Sequence, residues 1–300
     1  MTTARRGRYT IPMPNDNVYL NGKILPARSA SVSVYDAGFL LGASTFTTML
    51  ARNGSVFRID RHIRRLRETV ALLGLAVEVD ADLLSRETHE LLRINELADA
   101  RCRITLTPGS TLGESQTTLI TAVPKPDHPR EWYTEGISVV VSTFKQVTGH
   151  PTFGYKTGNY LVRSLAMQEA AAKGAQEALW FTLENQLAEG CTSNVFLALE
   201  GVLYTPPRDT PVLPGIVRQT VLELCEAEGI EVRDDRPLTV REMLDAGEVF
   251  MTGSVKGIVP VTRIEAHTVG DGEVGPLTRK LMDAYAKLLE AECPPQENEG

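Results

Sequence analysis

The sequence predicts a two-domain protein that mixes helices and strands, an α+β unit followed by an α/β one. Three observations carry that prediction. The stretch Val123-Pro-Lys-Pro-Asp-His-Pro-Arg-Glu-Trp-Tyr133 is rich in proline and charge between two apolar strands, as an interdomain linker would be. Ahead of it, strand patterns near residues 18 to 35 and 102 to 123 bracket helical patterns near 60 to 74 and 81 to 96. Behind it, β-branched runs alternate with amphipathic stretches. The expected division is residues 1–122, a linker at 123–135, and a larger unit at 136–300. With 300 residues and 42% hydrophobic content, the chain can fill two medium cores.

The second unit holds the residues that suggest chemistry. Ile137-Ser-Val-Val-Val-Ser-Thr143 reads as a buried strand, and the turn-rich Gly149-His-Pro-Thr-Phe-Gly154 follows it. Lys156 comes next, just before a helical pattern from Asn159 to about Ala172 with Leu161, Leu165, Ala166 and Ala170 on one side. A lysine so placed can be partly desolvated, which makes it easier to deprotonate and favours imine formation. Locally, the same pattern also fits an ordinary surface lysine. Ala175–Thr182 and Asn194–Leu199 read as strands, with Glu184-Asn-Gln186 as turn material after the first. Between them Glu189 is expected in a connecting segment at the mouth of a sheet, where a carboxylate can keep a heterocyclic nitrogen protonated; a solvated loop carboxylate is the alternative. Leu213-Pro-Gly-Ile-Val opens an amphipathic helix running to about Ala227, and the amides at such a start attract anions. The strand from Glu248 ends in Thr252-Gly-Ser254, which offers two hydroxyls to the same kind of ligand, although turn chemistry explains it equally well.

Composition narrows the class. A net charge of −7 argues against nucleic acid or an anionic membrane as the main partner. Cys102, Cys191, Cys225 and Cys293 show no paired spacing and five histidines form no ligand motif, so neither a disulfide framework nor a metal site is expected. The basic start Met1–Tyr9 runs into Thr10 and Pro12 where a signal peptide needs an apolar run, and no segment approaches membrane-spanning length. A cytoplasmic protein with a frayed tail from Cys293 to Gly300 is expected.

Taken together, these motifs resemble those of the fold-type IV pyridoxal-phosphate enzymes, the class IV aminotransferase family that includes D-amino-acid and branched-chain aminotransferases and aminodeoxychorismate lyases. The resemblance runs from Val18 to Leu281. It rests on Ser31-Val-Ser-Val-Tyr-Asp-Ala-Gly38, Phe57-Arg-Ile-Asp-Arg-His-Ile-Arg-Arg-Leu66, Lys156-Thr-Gly-Asn-Tyr160, Leu187-Ala-Glu-Gly190, Ser193-Asn-Val-Phe196, Leu213-Pro-Gly-Ile216 and Phe250-Met-Thr-Gly-Ser254. It implies a D-amino-acid-aminotransferase-like fold, pyridoxal 5'-phosphate as cofactor and a homodimer. Lys156 would bind the cofactor covalently and shuttle the proton. Glu189 would face the ring nitrogen, Tyr160 the phenolic oxygen and Leu213 the ring face. Arg65, Ile216, Val217 and Ser254 would hold the phosphate.

Departures from the family pattern bear on substrate. Members acting on branched-chain L-amino acids carry a tyrosine where this chain has Leu41, and Phe-Glu-Gly where it reads Thr45-Phe-Thr-Thr48. The threonine pair Thr47 and Thr48 is similar to aminodeoxychorismate lyases. Thr107-Pro-Gly109 replaces the Arg-Gly of D-amino-acid enzymes, whereas Arg103 falls where branched-chain enzymes have an arginine. Val217 replaces a common threonine, and Lys256 stands where relatives place a small residue. Leu41, Thr47, Arg103, Val255 and Lys256 are thus the expected substrate contacts. Lys256 either supplies a cation for a substrate carboxylate or points away. The activity implied is transfer of an amino group between an amino acid or amine and a 2-oxo acid, with release of pyruvate and 4-aminobenzoate from aminodeoxychorismate as the alternative.

Overall fold

The computed structural model describes residues 16–113 and 115–295. In the first half, apolar residues alternate with polar ones along the strands and recur at helical spacing between them, so a sheet forms with helices on one face. In chain order these are β1 (Asn17–Leu20), β2 (Lys23–Pro26), α1 (Ala37–Leu41), β3 (Thr45–Arg52), β4 (Ser55–Val56), α2 (Ile59–Leu72), α3 (Ala81–Ile94), β5 (Ala100–Thr107) and β6 (Thr117–Pro124). The strands pair antiparallel in the order β2-β1-β6-β5-β3-β4. Met49, Leu66, Leu91, Cys102, Ile104 and Ile120 form the core beneath α2 and α3.

Downstream lie α4 (Glu131–Thr134), β7 (Ile137–Gln146), α5 (Leu161–Ala172), β8 (Glu177–Thr182), β9 (Gln186–Gly190), β10 (Asn194–Leu199), β11 (Val202–Tyr204), α6 (Ile216–Ala227), β12 (Val232–Arg233), β13 (Leu238–Thr239), α7 (Val240–Asp245), β14 (Glu248–Gly253), β15 (Gly257–Ile264), β16 (His267–Thr268) and α8 (Pro276–Glu292). They build a mixed sheet in the order β12-β11-β10-β14-β15-β7-β8-β9-β13, with β16 on β15. β7 runs parallel to both neighbours, β15 and β8. Phe196, Val221, Phe250 and Leu281 pack α6 and α8 onto one side, while Ala166, Ala170 and Trp180 seat α5.

Four expectations need correction. The strand pattern expected through residue 35 stops at Pro26, and residues 30–36 carry Val32, Val34 and Tyr35 exposed, with no ladder to satisfy their alternation. Glu189 lies inside a strand, β9, and not in a connecting segment. That strand is buried along most of its length, which removes the polar alternation that would have marked it. α5 begins at Leu161, with Tyr160 as its N-terminal boundary residue. Cys293 is buried against the α8 core, and its carbonyl accepts from Asn53 Nδ2 at 2.8 Å, so the chain is ordered at that point. The remainder of the tail expectation, residues 296–300, and the reading of the first fifteen residues lie outside the described residues. The four cysteines are free thiols. Among the described residues no helix is long and apolar enough to cross a membrane.

Candidate active site

Strand register decides which residues reach the site. On β3, Met49 and Ala51 belong to the core under α2, so Thr47 points the same way and Phe46 and Thr48 point oppositely. On β5 the same alternation buries Cys102 and Ile104 and turns Arg101 and Arg103 to the other face. Phe46, Thr48, Arg101 and Arg103 line a cavity of about 320 Å³ whose other walls come from the second sheet.

Lys156 enters this cavity on an extended segment stitched to β3. Its carbonyl accepts from Phe46 N and from Thr45 Oγ1, both at 3.0 Å, and Gly158 N donates to Ser44 O at 2.9 Å. The two segments approach closely there, since a Cβ at Gly158 would lie 2.0 Å from Ser44 Oγ. The lysine is therefore fixed by main-chain bonds between the two sheets, even though no regular element contains it. Its Nζ lies 3.4 Å from the Tyr160 hydroxyl and 4.9 Å from the Phe46 ring centroid. Burial, followed by the charges of Arg65 and Arg163, pushes its pKa down to about 7. A large fraction of Lys156 is then neutral amine near neutral pH.

Glu189 is buried and held through both oxygens. Oε1 accepts from Arg163 Nη2 at 2.5 Å, and Oε2 accepts from the Leu213 amide at 2.9 Å. Asn194 Nδ2 donates to Oε2 at 3.4 Å and to Leu213 O at 2.8 Å, which pins the Leu213 turn to the carboxylate.

The rest of the wall suits an anion. Arg65 is buried yet meets no carboxylate among the described residues; its donors go to Pro214 O and Thr47 Oγ1, both at 3.1 Å. Burial lowers its pKa to about 10, which leaves it cationic. Its neighbour Arg64 is exposed and pairs with Asp60. The start of α6 presents Ile216 and Val217, and Gly215 precedes them because a Cβ would meet Asn194 Oδ1 at 2.0 Å. Ser254 also lines the cavity, and the buried Thr252 Oγ1 has no hydrogen-bond partner among the described residues. Arg65, the α6 start and the Thr252 hydroxyl line one cavity and together suit an anion such as a phosphate.

The structure therefore brings Lys156, Arg65, Tyr160, Glu189, Leu213, Ile216, Val217, Ser254, Arg103 and Val255 into one cavity. Thr47 is not among its lining residues. It is buried behind the wall, accepting from Arg65 and lying 2.8 Å from Nδ1 of His62, which burial and Arg65 hold well below its usual pKa and hence neutral. The pocket threonine is Thr48, because a one-residue difference reverses the face. Leu41 is 70% exposed on α1 and outside the cavity. Lys256 lines the cavity, but its ammonium is 2.7 Å from Glu177 Oε2, so a buried ion pair occupies the charge expected for substrate. Glu177 also accepts from Thr192 and Ser193 hydroxyls, and these groups with Lys256 hold it below the usual carboxylate range despite burial. Sequence reasoning missed Arg163, Glu177 and Asn194. Asn194 sits in the motif Ser193-Asn-Val-Phe196, whereas Arg163 carries no local signal.

Fold and site place a buried amine opposite a wall that suits an anion. The class IV amino-transferase model matches residues 44–264, and the chain belongs to that family, which is one of pyridoxal-phosphate enzymes. The chain is 34% identical over 278 residues, 90% of its length and 96% of the relative's, to a putative branched-chain-amino-acid aminotransferase of Methanocaldococcus jannaschii. Over 281 residues it is 30% identical to D-alanine aminotransferase of Bacillus licheniformis, covering 92% of this chain and 98% of that one. The crystal structure of Escherichia coli branched-chain amino acid aminotransferase superposes with a TM-score of 0.87 at 28% identity, covering 95% of this chain and 97% of the other. The protein is accordingly a transaminase. Its residues fit pyridoxal phosphate: among the described residues, a buried guanidinium without a carboxylate partner and a hydroxyl without a hydrogen bond suit the phosphate, a buried carboxylate suits the ring nitrogen, and the amine has a pKa of about 7.

Proposed function

We propose that this chain transfers an amino group between an amino acid and a 2-oxo acid that can carry a second carboxylate, with Lys156 as acid and base. Bound in this cavity, pyridoxal phosphate would supply an electron sink for the carbanion formed when the donor loses its α-proton. Arg65, the amides of Ile216 and Val217, and Ser254 would hold the phosphate. Glu189 would face the ring nitrogen and stabilise its protonated form. Tyr160 would meet the phenolic oxygen, a role supported by its hydroxyl lying next to Lys156 Nζ. With its pKa of about 7, Lys156 can take a proton from the substrate α-carbon and return it to the neighbouring carbon without a large free-energy penalty in either direction.

Arg103 supports the acidic substrate. Its guanidinium carbon is 3.6 Å from the Phe46 ring centroid, Nε donates to Thr105 Oγ1 at 3.0 Å, and among the described residues no carboxylate pairs with it. The single observation that carries the proposal is the convergence of Lys156, Glu189 and Arg65 on one cavity. In the test, cofactor-loaded enzyme is mixed with L- and D-amino acids singly and formation of the 2-oxo acid is followed, then pyruvate and 2-oxoglutarate are compared as acceptors. Arg103→Met should raise KM for 2-oxoglutarate at least tenfold more than for pyruvate. Release of pyruvate from aminodeoxychorismate without an amino acceptor would instead identify a lyase.

The reading extends to assembly and location. Phe39, Leu40 and Leu41 on α1 are exposed, as are Tyr35, Leu112, Leu161 and Val162; main-chain pairing of Asp36 with Ser110 and of Ser44 with Gly158 joins the segments that carry them. An apolar face of this kind is what a second copy would cover, giving a homodimer. Its domains would divide at the linker 123–135, and its free thiols suit the cytoplasm. Light scattering should give a dimer that Phe39→Glu dissociates.

A further inference from the structure

Arg163 sits in the first turn of α5 and crosses to the end of β9. Nη1 donates to the carbonyls of Gly190 and Cys191, both at 3.0 Å, and Nη2 to Glu189 Oε1 at 2.5 Å. The guanidinium is packed near the Tyr160 and Trp180 rings, 5.9 and 5.5 Å from their centroids. Its side chain is 16% exposed and that of Glu189 4%, so this is a buried, nearly water-free pair. Lys156, in the same cavity, forms no salt bridge among the described residues. A carboxylate and an ammonium left together in such a cavity would pair, and an ammonium so paired holds its proton.

We propose that Arg163 is a positioning residue that holds Glu189 against the β9 end and so keeps the carboxylate from closing onto Lys156. The proposal rests on the reading above only in taking Lys156 as the reactive amine. Other charged and titratable groups facing Lys156 are Arg65 and His62 from α2, Arg103 from β5 and Tyr160 at the α5 start. Apart from Glu189 these are cationic or neutral, so Glu189 is the group able to raise the lysine's affinity for a proton. Arg163 acts on Lys156 twice, by its own charge and by occupying Glu189. The depressed pKa of Lys156, to which both burial and Arg163 contribute, agrees with this arrangement.

The test uses the full-length chain without cofactor. The rate at which a neutral electrophile modifies Lys156 is followed against pH, with the site quantified by peptide mapping. Wild type should show a midpoint near 7. Arg163→Met should raise it by about one to three units, the effect of an opposite charge at contact distance. Adding Glu189→Gln to that variant should bring the midpoint back towards the wild-type value. A merely structural role for Arg163 would alter stability without moving the midpoint. An unmoved midpoint in Arg163→Met, or a raised midpoint that Glu189→Gln does not reverse, overturns the proposal. Should Arg163→Met not fold, Arg163→Gln, which keeps donors for the Gly190 and Cys191 carbonyls but loses the charge, carries the same expectation and the same refutation. Because no cofactor is present, this result stands or falls separately from the assignment of Glu189 to the ring nitrogen.

Discussion

Replacing Lys156 with methionine measures how strongly the site suppresses the lysine's proton. Methionine keeps the unbranched apolar stem and removes the charge. In the folded chain Lys156 has a pKa of about 7, against about 10.4 for lysine in an unfolded chain. The folded-state value is lowered, so the unfolded chain binds more protons between these two values and stability must rise with pH across that window. Below pH 7 both states are protonated and the folded state bears the full penalty, about 4 to 5 kcal/mol at 1.36 kcal/mol per unit. Above about pH 10.4 the penalty is gone. Linkage then gives a gain of about 2 to 3 kcal/mol for wild type relative to Lys156→Met between pH 6 and pH 9. Urea unfolding of both cofactor-free proteins at several pH values reads this directly, because other groups titrate alike in the two. Parallel stability curves for the two proteins would show that Lys156 is an ordinary lysine.

Glu189→Gln should lower turnover by at least a hundredfold while cofactor remains bound through Arg65, the α6 start and Ser254, since a neutral amide cannot stabilise a protonated ring nitrogen; near-wild-type turnover would place that carboxylate elsewhere. Lys256→Met should destabilise the protein by about 3 to 5 kcal/mol in chemical unfolding, because it strands the buried charge of Glu177, and should change KM equally for mono- and dicarboxylate acceptors. A selective loss of dicarboxylate binding would restore Lys256 to the substrate.

Much of the site was legible because its chemistry is tied to local backbone rules. Leu213-Pro-Gly-Ile216 announces a helix start, and the spacing of α2 and α3 gives helices whose ends fall within two residues of the expected ones. Arg65 and Lys156 sit in motifs whose residues also shape the chain around them. What stayed hidden depends on contacts distant in sequence. Whether Thr47 or Thr48 faces the cavity follows from the register of β3 against β5. Strand β9 is buried on both faces and contains a glutamate and a glycine, so its pattern is not that of a half-exposed strand. Arg163 becomes informative only when α5 is packed beside the end of β9, 26 residues later in the chain. Lys256 stood out from its relatives, but its partner Glu177, 79 residues away, was not apparent until β8 and the turn after β14 came together.

The most direct test of the central claim is to reduce the cofactor-loaded protein with borohydride and map the modified peptide. A phosphopyridoxyl group is expected on Lys156 and none on Lys256, with Lys156→Ala losing both the label and amino transfer. A label on another lysine, or full transaminase activity in Lys156→Ala, would contradict it.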